Sequence, residues 1–95
     1  MATITVTATE SVPRDQVAAV ERHIASLARS AGEELTGIQL TLRHDPDPGS
    51  QRPFVADVIA FHAGGVLAAH ATGATPVEAG EVVAERLRQS LGATA

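Results

Sequence analysis

Several residue types that support common functions are missing from this chain of 95 residues. It contains no cysteine, which excludes disulfide bonds, thiolate metal ligands and a thiol nucleophile. Tyrosine and tryptophan are absent, so no aromatic platform for stacking nucleobases is expected. No apolar run reaches the roughly 18 residues that a membrane span needs, and the N-terminus lacks the basic and apolar regions of a signal peptide. The sequence therefore predicts a cytoplasmic protein without a membrane partner.

Lysine is absent too, and all seven basic residues are arginine. Eleven acidic residues outweigh them, so the formal net charge is −4. This balance gives the chain as a whole no attraction to a polyanion such as a nucleic acid. Composition thus excludes several classes of function and selects none.

The N-terminal third of the sequence changes from the period of a strand to that of a helix. Residues 3–9 alternate threonine with isoleucine, valine and alanine, which is typical of a half-buried strand. Apolar residues then recur at spacings of three and four, which predicts an amphipathic helix over residues 13–31. Pro13 suits the first turn of that helix, and Gly32 suits its C-terminal cap.

The middle of the chain contains three further predicted strands. Residues 38–43 alternate apolar and polar side chains, and residues 44–53 are rich in proline and form a predicted loop. The third strand covers residues 54–62 and the fourth residues 66–72, with Gly64-Gly65 as the hairpin turn between them.

A capping box marks the start of the last predicted helix. Thr75 is the N-cap, Pro76 occupies the first helical position, and Glu78 follows the cap by three residues. The helix carries one apolar face and is predicted to end at Gly92. The apolar face consists of Val83, Leu87 and Leu91.

The resulting order β-α-β-β-β-α predicts a two-layer α+β sandwich with one domain over residues 1–95. A helical crossover makes the first two strands parallel neighbours, whereas hairpins join the others. The four strands therefore form a mixed sheet. Because both helices are amphipathic, we expect them to cover one face of that sheet.

Because alternate residues of a strand point to opposite faces of the sheet, some apolar residues are expected on the face that the helices leave uncovered. If Asp57 points outward, then Phe54, Ala56, Val58 and Ala60 point to the core. The opposite parity places five apolar residues together, which we call the outer sheet patch: Val55, Ile59, Phe61, Val66 and Ala68. A contiguous exposed apolar group predicts a surface for a protein partner or for a homodimer. The alternative is a bulged or shifted third strand that buries Phe61.

Short motifs along the chain resemble one protein family. They are Phe54-Val-Ala-Asp57, Gly65-Val-Leu67, the segment from Glu85 to Leu91, and the segment from Val20 to Arg29. Together with the order of elements they resemble the ribosome hibernation-promoting factors, also called ribosome-associated inhibitors or sigma-54 modulation proteins. The resemblance extends from the first strand to the end of the last helix.

This resemblance implies a non-catalytic translation inhibitor that binds the small ribosomal subunit near the decoding region. In the family, basic side chains on the two helices contact ribosomal RNA. The resemblance implies five 16S rRNA-binding residues in this chain. His23, Arg29 and Arg86 stand at basic positions of the family, and Arg22 and Arg88 lie close enough to substitute for missing ones by the reach of their side chains. No cofactor is implied.

The sequence also departs from the family at several helix positions. Ser26 and Gln89 stand where the family has basic residues, and Glu78, Glu81 and Glu85 form an acidic stripe that repels phosphate. We therefore expect weak, salt-sensitive binding to rRNA. Two alternatives follow: the arginines form a solvated face with ion pairs, or the chain is a diverged protein-interaction or dimerisation module that uses the outer sheet patch.

Other chemistry finds little support in the sequence. His62 and His70 lie on opposite faces of the predicted hairpin, so a shared zinc ion would need a bulge in the hairpin and at least one more ligand. His44, Asp45 and Asp47 offer too few oxygen ligands for calcium. The sequence shows no serine, histidine and carboxylate arranged as a nucleophilic triad, and no glycine-rich loop leads into a helix with lysine. We predict neither a metal site nor an enzyme.

Overall fold

Four strands and two helices follow one another in the predicted order. The computed structural model describes residues 3–9, 12–31, 35–45 and 51–94. Its elements are β1 (Thr3–Ala8), α1 (Arg14–Ala31), β2 (Leu35–His44), β3 (Phe54–His62), β4 (Gly65–Gly73) and α2 (Pro76–Thr94). The α+β sandwich expected from the sequence is confirmed.

Two element boundaries differ from the prediction by more than one residue. β2 begins at Leu35 rather than Ile38. The Leu35 side chain is buried in the core, and the pairing of β2 with β3 continues to this residue through a register irregularity between Leu35 and Gly37. α2 continues to Thr94, so the predicted end at Gly92 is wrong. A single glycine costs a helix only about 1 kcal/mol, and no proline follows to break it. The predicted cap at Gly32 lies outside the described residues.

The β3–β4 turn lies one residue earlier than predicted. His62 pairs with Gly65, so Ala63 and Gly64 form the turn and Gly65 opens β4. Gly65 has a φ of 135°, a conformation that residues with a Cβ rarely adopt. The glycine pair was therefore correctly identified with the hairpin, but its second member belongs to the strand.

The strands form one mixed sheet in the order β1-β2-β3-β4. β1 and β2 are parallel, whereas β2–β3 and β3–β4 are antiparallel. β1 and β4 are therefore the two edge strands. The register is regular from Phe54 to His62 against β4, so the alternative of a shifted third strand is wrong.

Both helices pack on the same face of the sheet and run in the same direction. α2 covers β3 and β4, and α1 packs against α2 and β1. The backbone N–H of Val77 donates to the side chain of Gln16 at 3.3 Å, and further along both helices Val20 contacts Gly80. Neither helix, within the described residues, is long and apolar enough to cross a membrane.

The core lies between the sheet and the helices, as the predicted parity requires. Its largest fully buried side chains are Val20, Ile24, Leu35, Ile38, Leu40, Leu42, Val58, Val83 and Leu87. On the edge strand β1, the inward residues Ile4, Val6 and Ala8 are only half-buried. This incomplete cover arises because α1 packs mainly against α2 and reaches β1 with fewer residues.

The predicted cap of α2 is present. The backbone N–H of Glu78 donates to the Thr75 hydroxyl at 3.1 Å, and that of Ala79 donates to the Thr75 carbonyl at 3.1 Å. The first bond satisfies an amide that the first turn of a helix otherwise leaves unpaired, and the second is the first regular hydrogen bond of α2. The cap fixes α2 immediately after β4, which determines where the arginines of α2 lie.

Candidate interaction surfaces

All five predicted rRNA-binding side chains are exposed on the helix layer. Three belong to α1 and two to α2, and they are Arg22, His23, Arg29, Arg86 and Arg88. Their environments differ, however, and the structure distributes them over three parts of the layer rather than in one cluster. The charge that each one can offer a phosphate depends on those environments.

Arg22 and Arg29 of α1 lie on the side of the helix that faces β1. Arg22 lines a groove between α1 and β1, together with Glu21, Ala18 and Ala25 of the helix. Arg29 follows seven residues later, about two turns along the helix, and therefore projects on the same side. It stands in the last turn, where a positive charge is favoured by the helix dipole.

Arg88 is paired with an acidic neighbour on α2. Its Nε donates to the Oε2 atom of Glu85 at 3.0 Å, and its Nη2 contacts the other carboxylate oxygen. The hydrogen bond from Arg88, with smaller contributions from the charges of Arg88 and His23, holds the pKa of Glu85 below its usual value. Glu85 is therefore ionised at neutral pH and offsets the charge of Arg88. This pair corresponds to the solvated ion-pair alternative.

Arg86 occupies the far edge of the molecule. Its Nη1 donates to the backbone carbonyl of His70 on the edge strand β4. Residues 86 and 88 are separated by about 200° around a helix, so they project in nearly opposite directions. Arg86 thus covers part of the β4 edge, a role that the sequence pattern did not indicate.

The outer sheet patch is exposed at four of its five positions. Ile59, Phe61 and Val66 are 41%, 36% and 61% exposed, and Ala68 is exposed as well. Phe61 pairs with Val66 and Ile59 with Ala68, so the four form one block.

Val55 does not belong to this exposed block. It is only 4% exposed, although it lies outside the main core, and its predicted place in an accessible patch is wrong. Arg43 and Thr72 pair with it from the two neighbouring strands, so side chains on both sides shield this valine from water. Strand parity predicts which face a side chain occupies, but not how far its neighbours cover it.

A polar cluster beside the patch was missed by the sequence interpretation. Asp57 contacts His70 through Oδ1 and Nδ1 at 2.6 Å, and Arg43 through Oδ2 and Nε at 3.5 Å. The three residues lie on three neighbouring strands, so only the register brings them together. The outward parity of Asp57 was the one available signal.

The histidines and acids do not assemble into a metal site in the described part of the chain. His70 lies on the outer face, and His62 has the opposite parity, as predicted. No group of three or more histidines and carboxylates with suitable geometry occurs among the described residues. Asp47 of the predicted loop lies outside them.

Comparison with known proteins gives a clear result for structure only. No protein-family model matches the chain, and no curated protein is significantly similar in sequence. The N-terminal domain of Thermus thermophilus Protein Y superposes with a TM-score of 0.75 at 18% identity, covering 100% of both chains. A ribosomal subunit interface protein from Coxiella burnetii superposes with a TM-score of 0.76 at 13% identity, covering 96% of this chain and 94% of that one.

The chain has the fold of these two proteins. The superpositions extend over nearly the full length of each, so they include the sheet and both helices. The fold implied by the family resemblance is thereby confirmed. At such low identity the likeness concerns architecture and does not by itself transfer a binding partner.

Proposed function

We propose that this chain is a ribosome-binding factor of the hibernation-promoting type. It acts in the cytoplasm without catalysis or a cofactor, binds 16S rRNA of the small subunit near the decoding region, and so inhibits translation. The observation that carries the proposal is the nearly full-length structural match to a protein described as a ribosomal subunit interface protein. The sequence motifs that resemble the same family support it independently.

The helix layer supplies the rRNA contacts in this proposal. Arg22 and Arg29 carry most of the attraction because the described residues show no ion pair to either side chain. Arg86 and Arg88 contribute less, since one bonds the β4 edge and the other pairs with Glu85. RNA phosphates are bound largely through such charges, so this set predicts modest affinity with a marked salt dependence.

Co-sedimentation with isolated small subunits tests the proposal directly. We expect binding at low salt that weakens about 100-fold between 50 and 200 mM salt, as about four phosphate contacts require. Isolated large subunits serve as the control and are expected to bind much less. Absence of binding at low salt, with the fold intact by circular dichroism, would overturn the proposal.

Removing the acidic charges of α2 is expected to strengthen binding. In the double variant Glu81→Gln/Glu85→Gln, two charges that repel phosphate disappear and Arg88 is released from its ion pair. We expect the affinity for small subunits to rise about fivefold at low salt, the modest size expected for exposed charges. The gain should vanish at high salt. A gain that persists there would contradict the electrostatic explanation.

A second candidate function is supported by the exposed block of the outer sheet patch. Ile59, Phe61 and Val66 are large apolar residues exposed side by side, which is uncommon on a monomer without a partner. In this alternative the chain is a protein-interaction module that has kept the fold without the ribosomal role. Failure to bind small subunits at low salt would favour it.

A further inference from the structure

The two edges of the sheet differ in how well they are protected against pairing with another strand. At β4, Arg86 bonds the carbonyl of His70 and so occupies part of the edge. At β1, the residues Thr3–Ala8 include no charge, proline or glycine, and no described strand pairs with its outer side. Natural proteins usually block such edges because unpaired backbone groups accept a further strand.

The side chains of β1 suit a second copy of the same strand. Residues 3–7 read Thr-Ile-Thr-Val-Thr, which is nearly the same in both directions. We infer that two copies of this chain associate by antiparallel pairing of their β1 strands about a two-fold axis at Thr5. Thr5 then lies opposite Thr5 of the partner subunit, with Ile4 opposite Val6 and Thr3 opposite Thr7. Every pair shares a face, and threonine pairs are favourable cross-strand neighbours.

This association covers the apolar residues that α1 leaves accessible. Ile4 and Val6 are half-buried and line the groove between β1 and α1. A second β1 continues the sheet beside them and places its own Ile4 and Val6 on the same face. The pairing therefore buries apolar surface as well as backbone groups.

The charges beside the groove are also self-complementary. Glu21 and Arg22 stand on α1 at the level of Thr5, because all three line the same groove. A two-fold axis at Thr5 places this acidic and basic pair of each copy on the same side of the junction, so each copy offers both charges to its partner subunit. Isologous interfaces require such matched pairs. Since Arg22 also belongs to the proposed rRNA surface, self-association and ribosome binding are expected to compete if the proposed function holds.

Sedimentation velocity over a concentration series tests the inference. We expect a reversible change from monomer to dimer as the protein concentration rises. The variant Thr5→Lys should raise the concentration at the midpoint of this change about tenfold. Like charges then face each other on the axis, whereas the fold is unaffected because Thr5 is exposed. The matched control Thr41→Lys carries the same charge on the same face one strand further in, and should leave the midpoint unchanged.

Two further measurements fix the register. A mixture of Thr5→Lys and Thr5→Glu variants should form heterodimers more tightly than either variant self-associates. Because the chain has no cysteine, the single-thiol variant Thr5→Cys should form a disulfide-linked dimer on mild oxidation, and Thr41→Cys should not. A strictly monomeric protein would overturn the inference. So would a dimer that is insensitive to Thr5→Lys but dissociates in Phe61→Ser, which would assign the contact to the outer sheet patch.

Discussion

Replacing Gly73 with alanine is expected to lower the free energy of unfolding by about 3 kcal/mol, the upper range for overpacked sites. Gly73 is the buried last residue of β4, and the first turn of α2 passes directly over it. An added Cβ would lie 2.5 Å from the backbone nitrogen of Ala79 and 3.0 Å from the carbonyl carbon of Glu78. Backbone atoms cannot rotate away as a side chain can, so α2 must shift off the sheet.

Urea unfolding followed by circular dichroism measures this loss, since the chain has no tryptophan or tyrosine for fluorescence. The matched control is Gly37→Ala on β2. There the added Cβ meets Phe61 Cδ2 at 3.5 Å, which is ordinary van der Waals contact. We expect a change below about 1 kcal/mol for the control. Equal losses in the two variants would contradict the explanation by contact with α2.

Neutralising Arg22 and Arg29 together is expected to weaken binding to small subunits by about tenfold at low salt. The double variant Arg22→Gln/Arg29→Gln removes the two arginines that we propose carry most of the rRNA attraction. Each lost phosphate contact should also reduce the slope of log affinity against log salt by about 0.7 to 0.9. Co-sedimentation at several salt concentrations measures both quantities.

The control for this experiment changes net charge by the same amount on the other side of the molecule. Gln39→Glu/Ala68→Glu places two negative charges on exposed positions of the outer sheet face. We expect it to reduce affinity much less than the arginine variant. A similar reduction in both would mean that overall charge governs the interaction and that the helix layer is not the contact surface.

Local patterns in the sequence were sufficient for most of the architecture. The alternation of polar and apolar residues in β1 and the outward direction assigned to Asp57 in β3 identified the two faces of the sheet, because successive side chains of a strand point to opposite sides. The capping box at Thr75 located the start of α2, because the N–H bonded by a cap lies within three residues. Such signals depend on neighbours in the chain, and a single sequence contains them completely.

The candidate surfaces were predicted less completely, because they depend on contacts between segments that are distant in the sequence. The five basic residues could be assigned to helices, but not to separate parts of the helix layer. That Arg86 reaches the carbonyl of His70 depends on how α2 lies over β4. That Arg43, Asp57 and His70 meet depends on the register of three strands. Contacts between distant segments leave no periodic mark in the sequence.

The sequence by itself determined the elements, their order, and the inward and outward faces of the strands. Only the tertiary structure decided that Val55 is buried, that Gly73 must lack a side chain, and that α1 leaves the inner side of β1 half-covered. The physical reason is that burial and charge pairing depend on the distances between packed layers. Periodicity predicts the direction of a side chain, but only packing determines what it meets there.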